Sequence, residues 1–241
     1  AAGMAEARGQ VDVAVSQYLA AGSMSEAAQL LVRHGVRLLR AGRVEALHRW
    51  LVQLERQLRE RPELRFLHGL VLHQRGRLSE AVAALHEARS GAAAAGLSDI
   101  ACAAVVDMAA IARSQGDYLR AQEWSEEATE LASEVGVRAA TRASAWLERA
   151  KTEGHLYGMV NGREMAERAL AELEASGEGE SLALNALGPE DGFDAEASAH
   201  LQAAFACSLG QICWWQGDVE AAVKYLQGAL QRLGEADTPH A

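Results

Sequence analysis

Lysine is nearly missing from this chain: of 23 Lys+Arg residues only Lys151 and Lys224 are lysines. Neither follows a glycine, so the GxxxxGK[ST] loop that cradles nucleotide phosphates is absent. The 3 prolines are too few to break up helices or to build a stiff Pro-rich linker. Aromatic residues make up only 5%. The three cysteines, Cys102, Cys207 and Cys213, are an odd number with no CxxC spacing. That excludes a disulfide framework or zinc ribbon, and they read as small core residues of a reduced, cytoplasmic protein. No uncharged apolar run reaches the ~18 residues of a membrane span, and "AAGMAEARGQ" has no signal-peptide pattern.

What remains is helix-forming. Hydrophobic residues are 49% of the 241, much of that alanine, and the 22 glycines mostly separate periodic segments. Charge is distributed unevenly within the net −10. Residues 1–90 hold 13 arginines and 9 acids, about +4; the remainder holds 10 basic and 24 acidic residues, about −14. The arginines recur at helical spacing on solvated faces, so direct nucleic acid binding is not expected.

One pattern repeats: a glycine, an alanine five residues later, another seven beyond that. Gly9/Ala14/Ala21, Gly76/Ala81/Ala88, Gly116/Ala121/Ala128 and Gly217/Ala222/Ala229 all fit. Seven residues before the last three glycines stand Gly69, Ala109 and Gly210, all small. Each glycine permits a left-handed turn between two helices. The small residues let the helix axes approach. This spells an antiparallel helix pair, repeated.

Helices are expected at 10–21, 24–41, 44–60, 63–75, 78–94, 98–115, 118–135, 138–155, 162–176, 195–216 and 219–234. The expected fold is all-α, a right-handed superhelix of helix pairs with about 11 helices and a single domain over 1–241. Within it, 1–61 holds single N-terminal helices, 62–176 helix-pair repeats and 194–236 the last pair. Two stretches depart from the pattern. "TEGHLYGMVNGRE" (152–164) places three glycines where one turn glycine is expected, which predicts a longer turn. Residues 177–193 are acidic and glycine-containing, and read as a loop.

No nucleophile–base motif is present, and no enzyme is expected. His68 and His73 are five apart, on different helix faces, and cannot share a metal as an i,i+4 pair would. No cofactor is expected in this chain. The usable surface of a helix-pair array is the concave groove lined by the first helix of each pair. The groove candidates are His73, Arg113, Lys151, His155, Tyr157, Gln211, Trp214 and Trp215. Adjacent residues on a helix point ~100° apart, so Trp214 and Trp215 can hardly share one seam: either one packs on the preceding helix and the other faces solvent, or both cap the core edge.

"QGDVEAAVKYLQGAL" resembles the tetratricopeptide (TPR) pattern. The N-terminal half is similar to the TPR-like region of the MalT family, through "AVSQYLAAG", "AAQLL…LLRAG", "LHRWLVQL" and Pro62-Glu63-Leu64 in that order. The family's usual tryptophan in its first helix is Met4 here. The resemblance implies a cytoplasmic transcription regulator of LuxR type, in which this region senses a small-molecule inducer or a regulatory protein or peptide. It further implies an upstream NTPase domain and a downstream DNA-binding domain in a longer chain, with no membrane contact. The alternative is a TPR scaffold that binds a peptide or partner protein and has no part in transcription.

Overall fold

The computed structural model describes residues 2–7, 10–157, 159–176 and 195–236. The acidic stretch 177–193 and the repeat glycine Gly9 lie outside the described residues. Thirteen helices and no strand are found among the described residues: α1 Ala2–Ala7, α2 Val11–Ala20, α3 Met24–Arg40, α4 Val44–Gln53, α5 Glu55–Glu60, α6 Pro62–Gln74, α7 Leu78–Ala94, α8 Ser98–Ser114, α9 Tyr118–Leu131, α10 Ala139–Tyr157, α11 Met159–Ser176, α12 Ala195–Trp215 and α13 Val219–Ala236.

The chain is an all-α solenoid. Helices α6/α7, α8/α9, α10/α11 and α12/α13 pack as successive pairs, and each second helix also packs on the first helix of the following pair. First helices touch in sequence, α6 to α8 to α10 to α12, and no comparable packing joins α7 to α9 or α9 to α11. The first helices therefore form the inner, concave wall, and the second helices splay outward.

The repeated Gln-Gly-Asp has a local cause. Gly116 and Gly217 both sit at φ +79°, a region costly for any side chain. The following aspartates cap the next helix: Asp117 accepts from the Arg120 amide at 3.2 Å, and Asp218 from the Ala221 amide at 3.1 Å.

Small residues mark where the paired helices cross. A Cβ on Gly69 would stand 2.7 Å from Leu85 Cγ, and one on Gly210 would stand 2.8 Å from Leu226 Cγ. Ala109 is wholly buried at the same place in the second pair.

Three sequence expectations need correction. The helix expected at 44–60 is two, broken at Leu54, which gives the first of the two extra helices; α1 is the other. The helix expected at 118–135 is α9 and stops at Leu131, and Val137 turns back into the core. The long turn at 152–164 does not exist: α10 runs to Tyr157 and α11 starts at Met159. Gly162 serves helix contact instead. A Cβ on Gly162 would lie 2.6 Å from the Ala150 carbonyl oxygen, so Gly162 is the crossing residue of α11 and Ala150 that of α10.

Candidate functional site

The four crossing residues Gly69, Ala109, Ala150 and Gly210 set one register for the inner wall. Two residues before them stand Leu67, Asp107, Glu148 and Ser208. One residue after stand Leu70, Ala110, Lys151 and Gln211. Four after stand His73, Arg113, Gly154 and Trp214, and five after stand Gln74, Ser114, His155 and Trp215. The wall is apolar on α6, ionic on α8 and α10, and aromatic at the end of α12.

The ionic zone centres on Glu148, buried at 5% exposure. Arg113 reaches across from α8 and holds it with both arms: Nε donates to Oε1 at 2.5 Å and Nη2 to Oε2 at 3.2 Å. A bidentate guanidinium–carboxylate pair is the strongest common ion-pair geometry. Asp107 occupies the equivalent position one pair earlier. Its Oδ2 is shielded from solvent and has no hydrogen-bond partner. Burial, reinforced by the neighbouring Glu148 charge, pushes the Asp107 carboxyl up to about 8. Burial also lowers the Lys151 ammonium; Glu148 counteracts this and Arg113 adds to it.

An aromatic run flanks this zone. Tyr118, at the start of α9, stacks on His155 with centroids 4.9 Å apart. His155 in turn meets Trp215 at 5.5 Å, tilted by 57°. Burial and the Arg113 charge both lower the His155 imidazole.

The structure thus gathers Arg113, Lys151, His155 and Trp215 onto one wall. Gln211 shares that register and is exposed. His73 lies on the same row but on the apolar α6 segment, and burial lowers its imidazole. Tyr157 does not join the row: its hydroxyl donates to Gln122 Oε1 at 3.0 Å, on the α9 seam. Trp214, 62% exposed, occupies the register at which Arg113 grips the next first helix. Trp215 is 52% exposed despite its contact with the preceding first helix. The expectation of one packed and one exposed tryptophan therefore holds only loosely, since both are more than half exposed.

Sequence reading missed Asp107, Glu148 and Tyr118. The first two were findable, since each stands two residues before a crossing alanine. The Glu148 register is hidden in the sequence because Gly162, a crossing glycine, reads there like a turn glycine. Among the described residues, no group of three or more His, Cys, Asp or Glu could hold a metal ion. No described helix is long and apolar enough to cross a membrane.

No family model matches the sequence. No curated protein matches it either. Solved structures do resemble the fold. BtubC (BKLC) from P. vanneervenii is 19% identical, with a TM-score of 0.54 over 96% of this chain and 82% of that one. TPR-like repeats attributed to a kinesin light chain of Podosopora anserina give 16% identity and a TM-score of 0.47 over 95% and 96% of the two chains. MamA from Desulfovibrio magneticus RS-1 gives 18% and 0.44 over 88% and 98%. At 19% identity the likeness to BtubC speaks to the fold alone, a solenoid of helix pairs.

Proposed function

We propose that this solenoid is a protein-interaction scaffold whose inner wall, from α8 to α12, binds an extended segment of a partner protein. The segment presents a lysine or arginine to Asp107 while its neighbouring side chains lie along His155 and Trp215. One observation carries this reading: the Asp107 carboxyl, on the inner wall, lacks a hydrogen-bond partner at Oδ2. A shielded carboxyl oxygen without a partner costs folding free energy, and an incoming cation would offset that cost. The surrounding charge agrees, since residues 91–241 carry about −14.

The test is a set of short peptides, basic against acidic, titrated into the 241-residue chain and read by tryptophan fluorescence. Basic peptides should bind at least tenfold tighter, and Asp107→Asn should abolish that preference. Affinity should rise between pH 6.5 and pH 9, because pairing requires the Asp107 proton, held up to about 8, to leave. Equal binding of both peptide classes, or an unchanged preference in the Asn variant, refutes the assignment.

A second reading, an inducer-sensing region of a MalT-like transcription regulator, is supported by the order of motifs in residues 1–64. A thermal-shift screen of small metabolites separates the two. A small molecule that raises the melting temperature while basic peptides do not favours the sensor.

A further inference from the structure

Two contacts tie α11 to α13 on the outer side of the solenoid. Arg163 donates to Asp218 at 2.7 Å, and the Tyr225 hydroxyl donates to Glu167 Oε1 at 2.9 Å. Beyond Tyr225 the helices leave a groove of about 550 Å³ between them, the size of a small-molecule site. It lies on the face of α13 turned back toward α11, so both of its walls are helices of this chain.

The groove is open because of one residue. Gly228 stands six residues after Ala222, the crossing residue of α13. Six residues after the crossing residues Ala81, Ala121 and Gly162 of the earlier second helices stand Glu87, Glu127 and Arg168. Each of those side chains is engaged by a neighbouring helix. Glu87 pairs with Arg65 of α6 at 2.9 Å, Glu127 is in ion-pair contact with Arg89 of α7, and Arg168 lies 5.2 Å over the Trp146 ring of α10. Glycine inside a helix is destabilising relative to alanine, and no helix crossing requires this one. Among the described residues a Cβ on Gly228 would meet Arg232 Nη1 of the same helix, at 3.1 Å, and nothing on another helix. The missing side chain leaves room, both in the groove and for the Arg232 guanidinium along α13.

The lining is cationic, although residues 91–241 together carry about −14. Lys224 and Arg232 stand about two turns apart on the α13 wall. Lys224, one of the two lysines in the chain, is exposed and has no ion-pair or hydrogen-bond partner among the described residues. Leu170 and Ala171 give the α11 wall an apolar step. Beside them stands Glu167. Hydrogen bonds from Arg163 and then Tyr225 keep its carboxyl below the ordinary range, although burial opposes them. Both donate to Oε1, and among the described residues no hydrogen bond reaches Oε2.

We infer that the α11–α13 groove binds a small organic monocarboxylate that also carries a hydrogen-bond donor. The carboxylate lies between Lys224 and Arg232, the apolar body rests on Leu170 and Ala171 beside Gly228, and the donor reaches Glu167 Oε2. A further negative charge on the ligand would face Glu167, which selects a monocarboxylate over a polyanion.

The probe is 4-hydroxybenzoate, with one carboxylate, one ring and one donor. Titrated into the 241-residue chain at pH 7 and followed by amide NMR, it should shift Gly228 and Gln231 with a Kd of about 1 mM or tighter. The uncharged 4-hydroxybenzamide should bind at least tenfold more weakly, and citrate more weakly than the probe. Lys224→Gln should weaken the probe at least tenfold. Gly228→Gln, which restores the bulk that the earlier pairs carry, should abolish binding with an unchanged or higher melting temperature. Asp107→Asn, on the inner wall, should leave binding unchanged, so failure here is separable from failure of the partner site. No amide shift up to about 20 mM probe overturns the inference. So does amide or citrate binding as tight as the probe, binding that survives Gly228→Gln, or shifts that Asp107→Asn abolishes.

Discussion

The inner wall is built twice from the same geometry and with opposite chemistry. On α6 the positions two before and one after the crossing glycine are Leu67 and Leu70, at 0% and 2% exposure. On α10 they are Glu148 and Lys151, and on α8 the first of them is Asp107. The α6 wall is held by non-directional burial, worth roughly 1.5–3 kcal/mol per large aliphatic side chain. The α8–α10 wall is held by one bidentate pair and carries a half-buried aspartate, Asp107, whose shielded Oδ2 has no hydrogen-bond partner. Charge buried in a seam is rarely the most stable choice, because desolvation offsets the attraction. Its presence here, and not on α6, is the contrast on which the proposed partner site rests.

Four substitutions test that contrast. The largest effect is expected from giving α6 the α8 chemistry: Leu67→Asp places a carboxylate among apolar side chains and should destabilise by more than about 4 kcal/mol, seen as loss of cooperative unfolding in urea. Next is Arg113→Ala, which strands the buried Glu148; roughly 3 kcal/mol should be lost in the same measurement, and Arg113→Ala with Glu148→Gln should recover part of it. Third is Asp107→Asn, which should stabilise by about 1 kcal/mol at pH 7. The sign follows from the raised folded-state value: the Asp107 contribution to stability is fully present below about pH 4 and is lost as pH climbs to about 8. The Asn variant should show a flatter pH–stability curve in that window. The smallest effect is expected from Trp215→Ala, below about 0.5 kcal/mol in stability. Uncovering His155 there should raise its imidazole value toward the ordinary range in an NMR titration, since burial is the first cause of its lowering.

The scaffold was legible in the sequence wherever one residue type has one physical reason. Gly116, Gly217 and their aspartates mark turns that only glycine and a capping side chain make well, and Gly69, Ala109 and Gly210 mark crossings that only small residues permit. Legibility failed where one residue type serves two purposes. Gly162 looked like part of a turn and is a crossing. Leu54 gave no sign of the break between α4 and α5, because a leucine at a kink reads like a leucine in a helix. The candidate site was harder still. Arg113 was visible as a wall residue, but its capture by Glu148 depends on the stacking of neighbouring pairs, which no local window contains. Tyr118 sits beyond a turn glycine and joins His155 only through that stacking.

The crossing residues also quantise the length of the protein. From Gly69 to Ala109 is 40 residues and from Ala109 to Ala150 is 41, and each step adds one helix pair that packs only against its neighbours. A chain written this way can grow or shrink by whole steps without rewriting the rest. Between Ala150 and Gly162 an insertion of one or two residues would shift the crossing out of register, and a side chain carried to the place of Gly162 would put its Cβ 2.6 Å from the Ala150 carbonyl oxygen.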